Sequence, residues 1–113
     1  MRLIPVAAMW VAFALLTACG TLGLTPASRF TERLAYSYST HTAVLNATTQ
    51  AVNAGDIGSE DGERVLKVAD EARKALDAAK LAVDIGDLQT AESRLQLATA
   101  ILTELQTYLR RKR

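Results

Sequence analysis

The chain of 113 residues carries 13 Lys and Arg against 12 Asp and Glu, one His, one Cys and 50% hydrophobic residues. That length fits one domain and is short for a two-lobed architecture with a deep catalytic cleft. Its near-zero net charge lacks the basic excess of a dedicated nucleic-acid binder, and a lone Cys makes neither an intramolecular disulfide nor a CxxC zinc site.

The composition is uneven along the chain. Of residues 1–18, only Arg2, Pro5 and Thr17 are not apolar. Arg2 supplies a short positive start, and an uncharged apolar run follows from Leu3 to Leu16. Small residues come next at Thr17, Ala18 and Gly20. This is the layout of a secretory signal peptide, and the run is shorter than the ~20 residues a spanning helix needs. From Cys19 onward the charges cancel, because the +4 of Arg110-Arg111-Lys112-Arg113 balances the −4 of residues 19–109.

Leu16-Thr17-Ala18-Cys19 resembles the lipobox of bacterial lipoproteins, a Leu and two small residues ahead of a Cys at the end of the apolar run. The resemblance covers about the first twenty residues. It implies diacylglyceryl transfer to the Cys19 thiol, cleavage between Ala18 and Cys19, and acylation of the new amine. The covalent diacylglycerol and N-acyl chain would be the only prosthetic groups, and no cofactor or metal is expected. Each buried CH₂ contributes about 0.8 kcal/mol, so several acyl chains hold a protein stably on a bilayer. Gly20 stands where an Asp would imply retention in the inner membrane, so the resemblance implies the outer membrane, facing the periplasm. A second arrangement also fits these residues. No charge occurs from Leu3 to Ser28, which leaves an uncleaved membrane helix near Leu3–Leu24 as the rival.

The segment 19–25 holds two Gly and two Thr and reads as a flexible tether. Thr25-Pro26 then predicts a helix start, with Pro at the first helical position. Phe30, Leu34, Tyr38, His41, Leu45, Thr48 and Val52 recur at helical spacing, and Gly55 closes the segment. Tyr36–Thr42 is poor in helix formers and weakens this assignment. Ser59 is the expected N-cap of the next helix, with Glu60, Asp61 and Glu63 in its first turn. Val65, Ala69, Ala72, Leu76, Ala79 and Val83 form its stripe, and Gly86 stops it. Asp87 caps a third helix with the stripe Leu88, Ala91, Leu95, Ala98, Leu102, Leu105 and Leu109. The expectation is an all-α, antiparallel three-helix bundle over 26–113, with helices near 26–54, 60–85 and 88–110 and short connections.

Ala51–Ile57 resembles Ala82–Leu88, and both copies fall at a helix–turn–helix junction. We read this as shared turn chemistry, with Gly closing one helix and Asp opening the next. Ala supplies 15 of the 41 apolar residues after the first 18, so the helices should approach closely and bury modest area. Leu66, Leu81, Leu97 and Ile101 lie beside the stripes. A broad core-facing stripe is the expected reason, and an outward partner surface or homo-oligomer is the rival.

His41, the only His, lies on the apolar stripe near Tyr38 and is expected to be structural. Catalysis would need a nucleophile and an orienting acid beside it, and an enzyme or ligand carrier using His41 and the tyrosines is the minor alternative. Asp56, Glu60, Asp61 and Glu63 fail the helix–loop–helix calcium pattern, since Gly58, Asp61 and Lys67 occupy positions needing a ligand, a Gly and a Glu. They read as helix-dipole partners. Arg110, Arg111, Lys112 and Arg113 are the candidate partner-contact residues. They should lie beside the acidic Asp56–Glu63 loop, either complementing it and the helix dipole or meeting an anionic partner such as peptidoglycan or an acidic protein. The expected protein is a lipid-anchored, non-catalytic envelope scaffold, adaptor or blocker. The alternatives are a single-span inner-membrane protein with the same periplasmic bundle, and a phage or prophage lipoprotein aiding lysis or superinfection exclusion, which it resembles in size and style only.

Overall fold

A computed structural model describes residues 26–113. The signal-peptide and tether assignments, with Ala18 and Cys19, lie outside the described residues. Three helices follow one another: α1 over Pro26–Asn53, α2 over Ser59–Asp84 and α3 over Leu88–Arg111. The expected boundaries hold to within one residue, and the fold is the expected antiparallel three-helix bundle.

Long-range contacts set the directions. Tyr38 reaches Asp77 while Val52 lies against Gly62, so α2 runs against α1. Arg33 meets Glu92, and Ala43, Val44 and Ala47 share a groove with Gln106 and Leu109, so α3 runs with α1.

Each helix buries a heptad seam. On α1 it is Phe30, Leu34, Ser37, His41, Val44, Thr48 and Ala51. Alternating steps of four and three keep one stripe facing its neighbours. This corrects the expected α1 stripe in its second half. Tyr38, Leu45 and Val52 are only half-buried, packed against the core's edge, while Val44 and Ala51 take the centre. The α2 and α3 seams agree with expectation, except that Val83 and Leu88 at the helix ends are half-buried.

The stretch poor in helix formers is helical, with Ser37 and His41 packed on the seam and its threonine hydroxyls satisfied within the helix. Thr40 donates to the Tyr36 carbonyl at 3.1 Å and Thr42 to that of Tyr38 at 3.3 Å. Buried Thr48 donates to the Val44 carbonyl at 2.7 Å, which removes the cost of an unpaired hydroxyl in the core.

The two junctions share one device. Gly55 and Gly86 have positive φ, 77° and 82°. At the first, Gly55 N–H donates to Val52 O and Asp56 N–H to Ala51 O. At the second, Gly86 N–H donates to Val83 O and Asp87 N–H to Ala82 O. This paired closure is the Schellman motif, the physical content of the internal repeat. The junctions then diverge. Asp87 caps α3 at once, its carboxylate accepting from Thr90 N–H at 3.1 Å. At the first junction Ile57 tucks into the core, and Gly58 rather than Ser59 is the N-cap. The Gly58 carbonyl accepts the first helical bond from Gly62 N–H at 2.9 Å, which places Ser59 already inside the helix.

Alanine dominates α2. Its buried set is Gly62, Val65, Ala69, Ala72, Ala75, Leu76, Ala79 and Ala82. A Cβ on Gly62 would stand 2.5 Å from Val52 Cγ2, so α1 and α2 approach closely here. Leu76 is the large fully buried side chain α2 supplies, and the rest of the core's bulk comes from its neighbours, through Phe30, Leu95 and Leu102.

The broad-stripe expectation fails for three of its four residues. Leu66, Leu81 and Leu97 are exposed, Leu81 to 68%, and only Ile101 packs against the core. On α2 the buried seam is widened on one flank by Ala75 and Ala82, whereas Leu66 lies on the other flank and Leu81 on the outer face.

Candidate functional site

Two cross-helix polar clusters set the register near the start of the bundle. Tyr38 donates to Asp77 Oδ1 at 2.5 Å, and Arg73 bonds the same oxygen at 3.2 Å. The Arg73 guanidinium also lies 5.0 Å from the Tyr38 ring centroid, within reach for a cation–π contact. Desolvation and the hydrogen bond to Asp77 push the Tyr38 hydroxyl up to about 12. The same bond, helped by Arg73, holds the Asp77 carboxyl below its ordinary value. Arg33 Nη1 donates to both oxygens of Glu92, at 2.7 and 3.0 Å, a charge-assisted pair between α1 and α3 made through one guanidinium nitrogen. These clusters were not foreseen from the residues. A Tyr, an Asp and an Arg on two separate helices carry no joint signal until the helices are set side by side.

His41 is buried on the α1 seam. The Tyr38 proton goes to Asp77, so the structure assembles no Tyr38–His41 hydrogen bond of the kind a catalytic reading would use. Among the described residues no group of three or more His, Cys, Asp and Glu is placed to hold a metal ion.

The basic tail lies at the end of the bundle where α2 begins, beside the acidic loop as expected. It does not form one patch. Arg111 borders a groove between α2 and α3 that also holds Asp61 and Arg64, and Lys112 lies 5.6 Å from the ring centroid of Tyr108 in that groove. Arg110 and Arg113 point the other way, into the groove between α1 and α3. Arg113 and Asp56 border a further hollow there. Yet no ion pair joins tail to loop among the described residues. Asp61 is taken by Arg64 on its own helix, at 3.4 Å. Arg110 and Arg111 sit in the last turn of α3, where they complement the helix dipole.

The α2–α3 groove encloses about 610 Å³. Its floor is Val65, Val68, Leu105 and Tyr108, and its rim is Asp61, Arg64, Glu104 and Arg111. Of the residues beside the stripes, Leu97 and Ile101 do not line it but lie on the same side of α3 as Tyr108, which does, and continue that side toward Gly86.

The fold and these sites define an all-α three-helix bundle with bipolar charge at one end. Comparison with protein-family models, curated protein sequences and solved structures returns no match to this chain.

Proposed function

We propose that the chain is an exported, lipid-anchored component of the bacterial envelope, whose three-helix bundle works without catalysis as a scaffold, adaptor or blocker of another envelope component. One observation carries this reading: Leu16-Thr17-Ala18-Cys19 at the end of an apolar run opened by Arg2. It accounts for the lone Cys, since an exported thiol consumed by lipid leaves none over. Gly20 directs the anchored form to the outer membrane, facing the periplasm. In this reading Pro26 begins the bundle seven residues beyond Cys19. A 28-residue α1 then carries the basic end about 40 Å outward. There Arg110, Arg111, Lys112 and Arg113, free of ion pairs among the described residues, are available to an anionic partner such as peptidoglycan.

Processing tests the reading directly. Globomycin should cause a larger precursor to accumulate, labelled palmitate should enter the wild-type protein, and Cys19→Ser should abolish both effects. Mass spectrometry of the native product should find Cys19 as the first residue, carrying diacylglycerol. An unmodified Cys19 or an intact Met1 would refute the anchor. An intact Met1 would favour the single-span alternative, which the uncharged stretch from Leu3 to Ser28 supports.

A further inference from the structure

The α2–α3 groove keeps apolar surface uncovered. Val68 is 38% exposed on α2 and Leu97 48% exposed on α3, with Ile101 and Tyr108 half-buried beside them. Leu97, Ile101 and Tyr108 recur at steps of four and seven, one side of a helix. The groove at the end of this strip bears two acids and two bases, Asp61 and Glu104 against Arg64 and Arg111. A rim of mixed sign does not suit a polyanion or an anionic lipid surface. A self-complementary rim does suit an isologous contact, in which the same patch serves both partners.

The order of charges narrows the geometry. Gly86 turns the chain between α2 and α3, so residues equidistant from Gly86 lie at similar height. Asp61 is level with Arg111, Arg64 with Tyr108, and Ala75 with Leu97. A two-fold axis parallel to the helices sets α2 of one copy against α3 of the other at unchanged height. Each α2–α3 pair across the axis is then antiparallel, as α2 and α3 are within one copy. Asp61 faces the second copy's Arg111. Arg64 faces the second copy's Tyr108, with its Glu104 one turn away. Leu97 faces Ala75, a large residue over a small one. The strip from Asp61 to Ala82 is about 30 Å long. Across two helices about 10 Å apart it covers roughly 600 Å² per copy, or about 1,200 Å² in total, the lower end of what a stable dimer buries.

We propose that the α2–α3 groove is a homodimer interface in which two copies pair side by side, α2 against α3, about a two-fold axis along the bundle. Both chains then begin at the same end, which suits copies tethered to one surface. The pairing rests on the described helices alone, so failure of lipidation at Cys19 would leave it standing.

The full chain, purified in mild detergent, tests this by light scattering coupled to size exclusion. The wild type should have twice the protein mass of one chain. Leu97→Glu should give one chain with unchanged helical circular dichroism; if that variant loses helicity, Tyr108→Ala takes its place. Asp61→Arg should raise the dissociation constant about tenfold, because two symmetric ion pairs of up to ~1 kcal/mol each become repulsions. Adding Arg111→Asp to Asp61→Arg should restore the dimer. A wild type that stays single at ~100 μM overturns the proposal. So does an oligomer indifferent to Leu97 and Asp61, which would pair through another face, or a charge swap that fails to rescue.

Discussion

Replacing Gly62 with alanine should reverse the usual sign of a glycine-to-alanine change in a helix. In an open helical position the added methyl stabilises by about 1 kcal/mol. At Gly62 the new Cβ would stand 2.5 Å from Val52 Cγ2, well inside the 3.5–4.0 Å separation at which carbons attract. Val52 has little room to yield, because a β-branched side chain in a helix holds one strongly preferred rotamer. The helices must part or Val52 must leave that rotamer, and overpacking of this kind costs about 1–3 kcal/mol. The net effect of Gly62→Ala is therefore between about zero and 2 kcal/mol of destabilisation. Val52→Ala removes the obstructing methyl. In that background Gly62→Ala should regain its stabilising sign, so the two sites should couple by about 1–3 kcal/mol. Urea denaturation followed by circular dichroism at 222 nm, on the wild type, both single variants and the double, measures this. If Gly62→Ala stabilises equally in both backgrounds, the close approach of α1 and α2 at this point is wrong.

The hydroxyl of Tyr38, pushed up to about 12, gives a second test. Its folded value lies above the unfolded one near 10, so the bond to Asp77 stabilises fully below pH 10. That contribution is lost as pH rises from about 10 to about 12. On the acid side Asp77 is held low, so its contribution is full above the ordinary carboxylate value and is lost as pH falls from there through the lowered one. Absorbance at 295 nm should show one of the three tyrosines ionising late, and Tyr38→Phe should remove that step. Leu76→Ala, in the centre of the core, should cost about 2–5 kcal/mol, whereas Leu81→Ala, on the exposed face, should stay within about 0.5 kcal/mol; urea midpoints of the two compare them. Gly55→Ala, at a φ of 77°, should cost about 1–2 kcal/mol by forcing a side chain into the left-handed region. Gly58→Ser should add a few tenths, because the N-cap of α2 has extended backbone and no side-chain bond. Thermal melts of this last pair should shift in opposite directions.

Much of the fold is legible because heptad seams are local facts. Val65 to Ala79 and Ala91 to Leu109 announce α2 and α3 through spacing alone, and Gly55 and Gly86 announce the turns through a backbone conformation that glycine adopts freely. On α1 the pattern misled in detail. Tyr38, Leu45 and Val52 repeat at helical spacing as convincingly as Ser37, Val44 and Ala51. Spacing cannot tell a seam's centre from its edge when the helix faces two neighbours. The same blindness cast Leu66, Leu81 and Leu97 as core, although all three are exposed. Ser59 was read as a cap because caps are recognised by residue type, whereas the cap that forms is set by which carbonyl takes the first helical bond.

By itself the sequence determined what is local: the number of helices, their ends to within a residue, and the basic close of α3. Tertiary structure alone decided what depends on two helices meeting. It joined Tyr38 to Asp77 and Arg33 to Glu92, brought Gly62 under Val52, split the basic tail between two grooves, and left Val68 and Leu97 uncovered between α2 and α3. The physical reason is range. A helix reports its own periodicity within a few turns, while the partner across a seam is named only when rotation and height are fixed by the packing of the whole bundle.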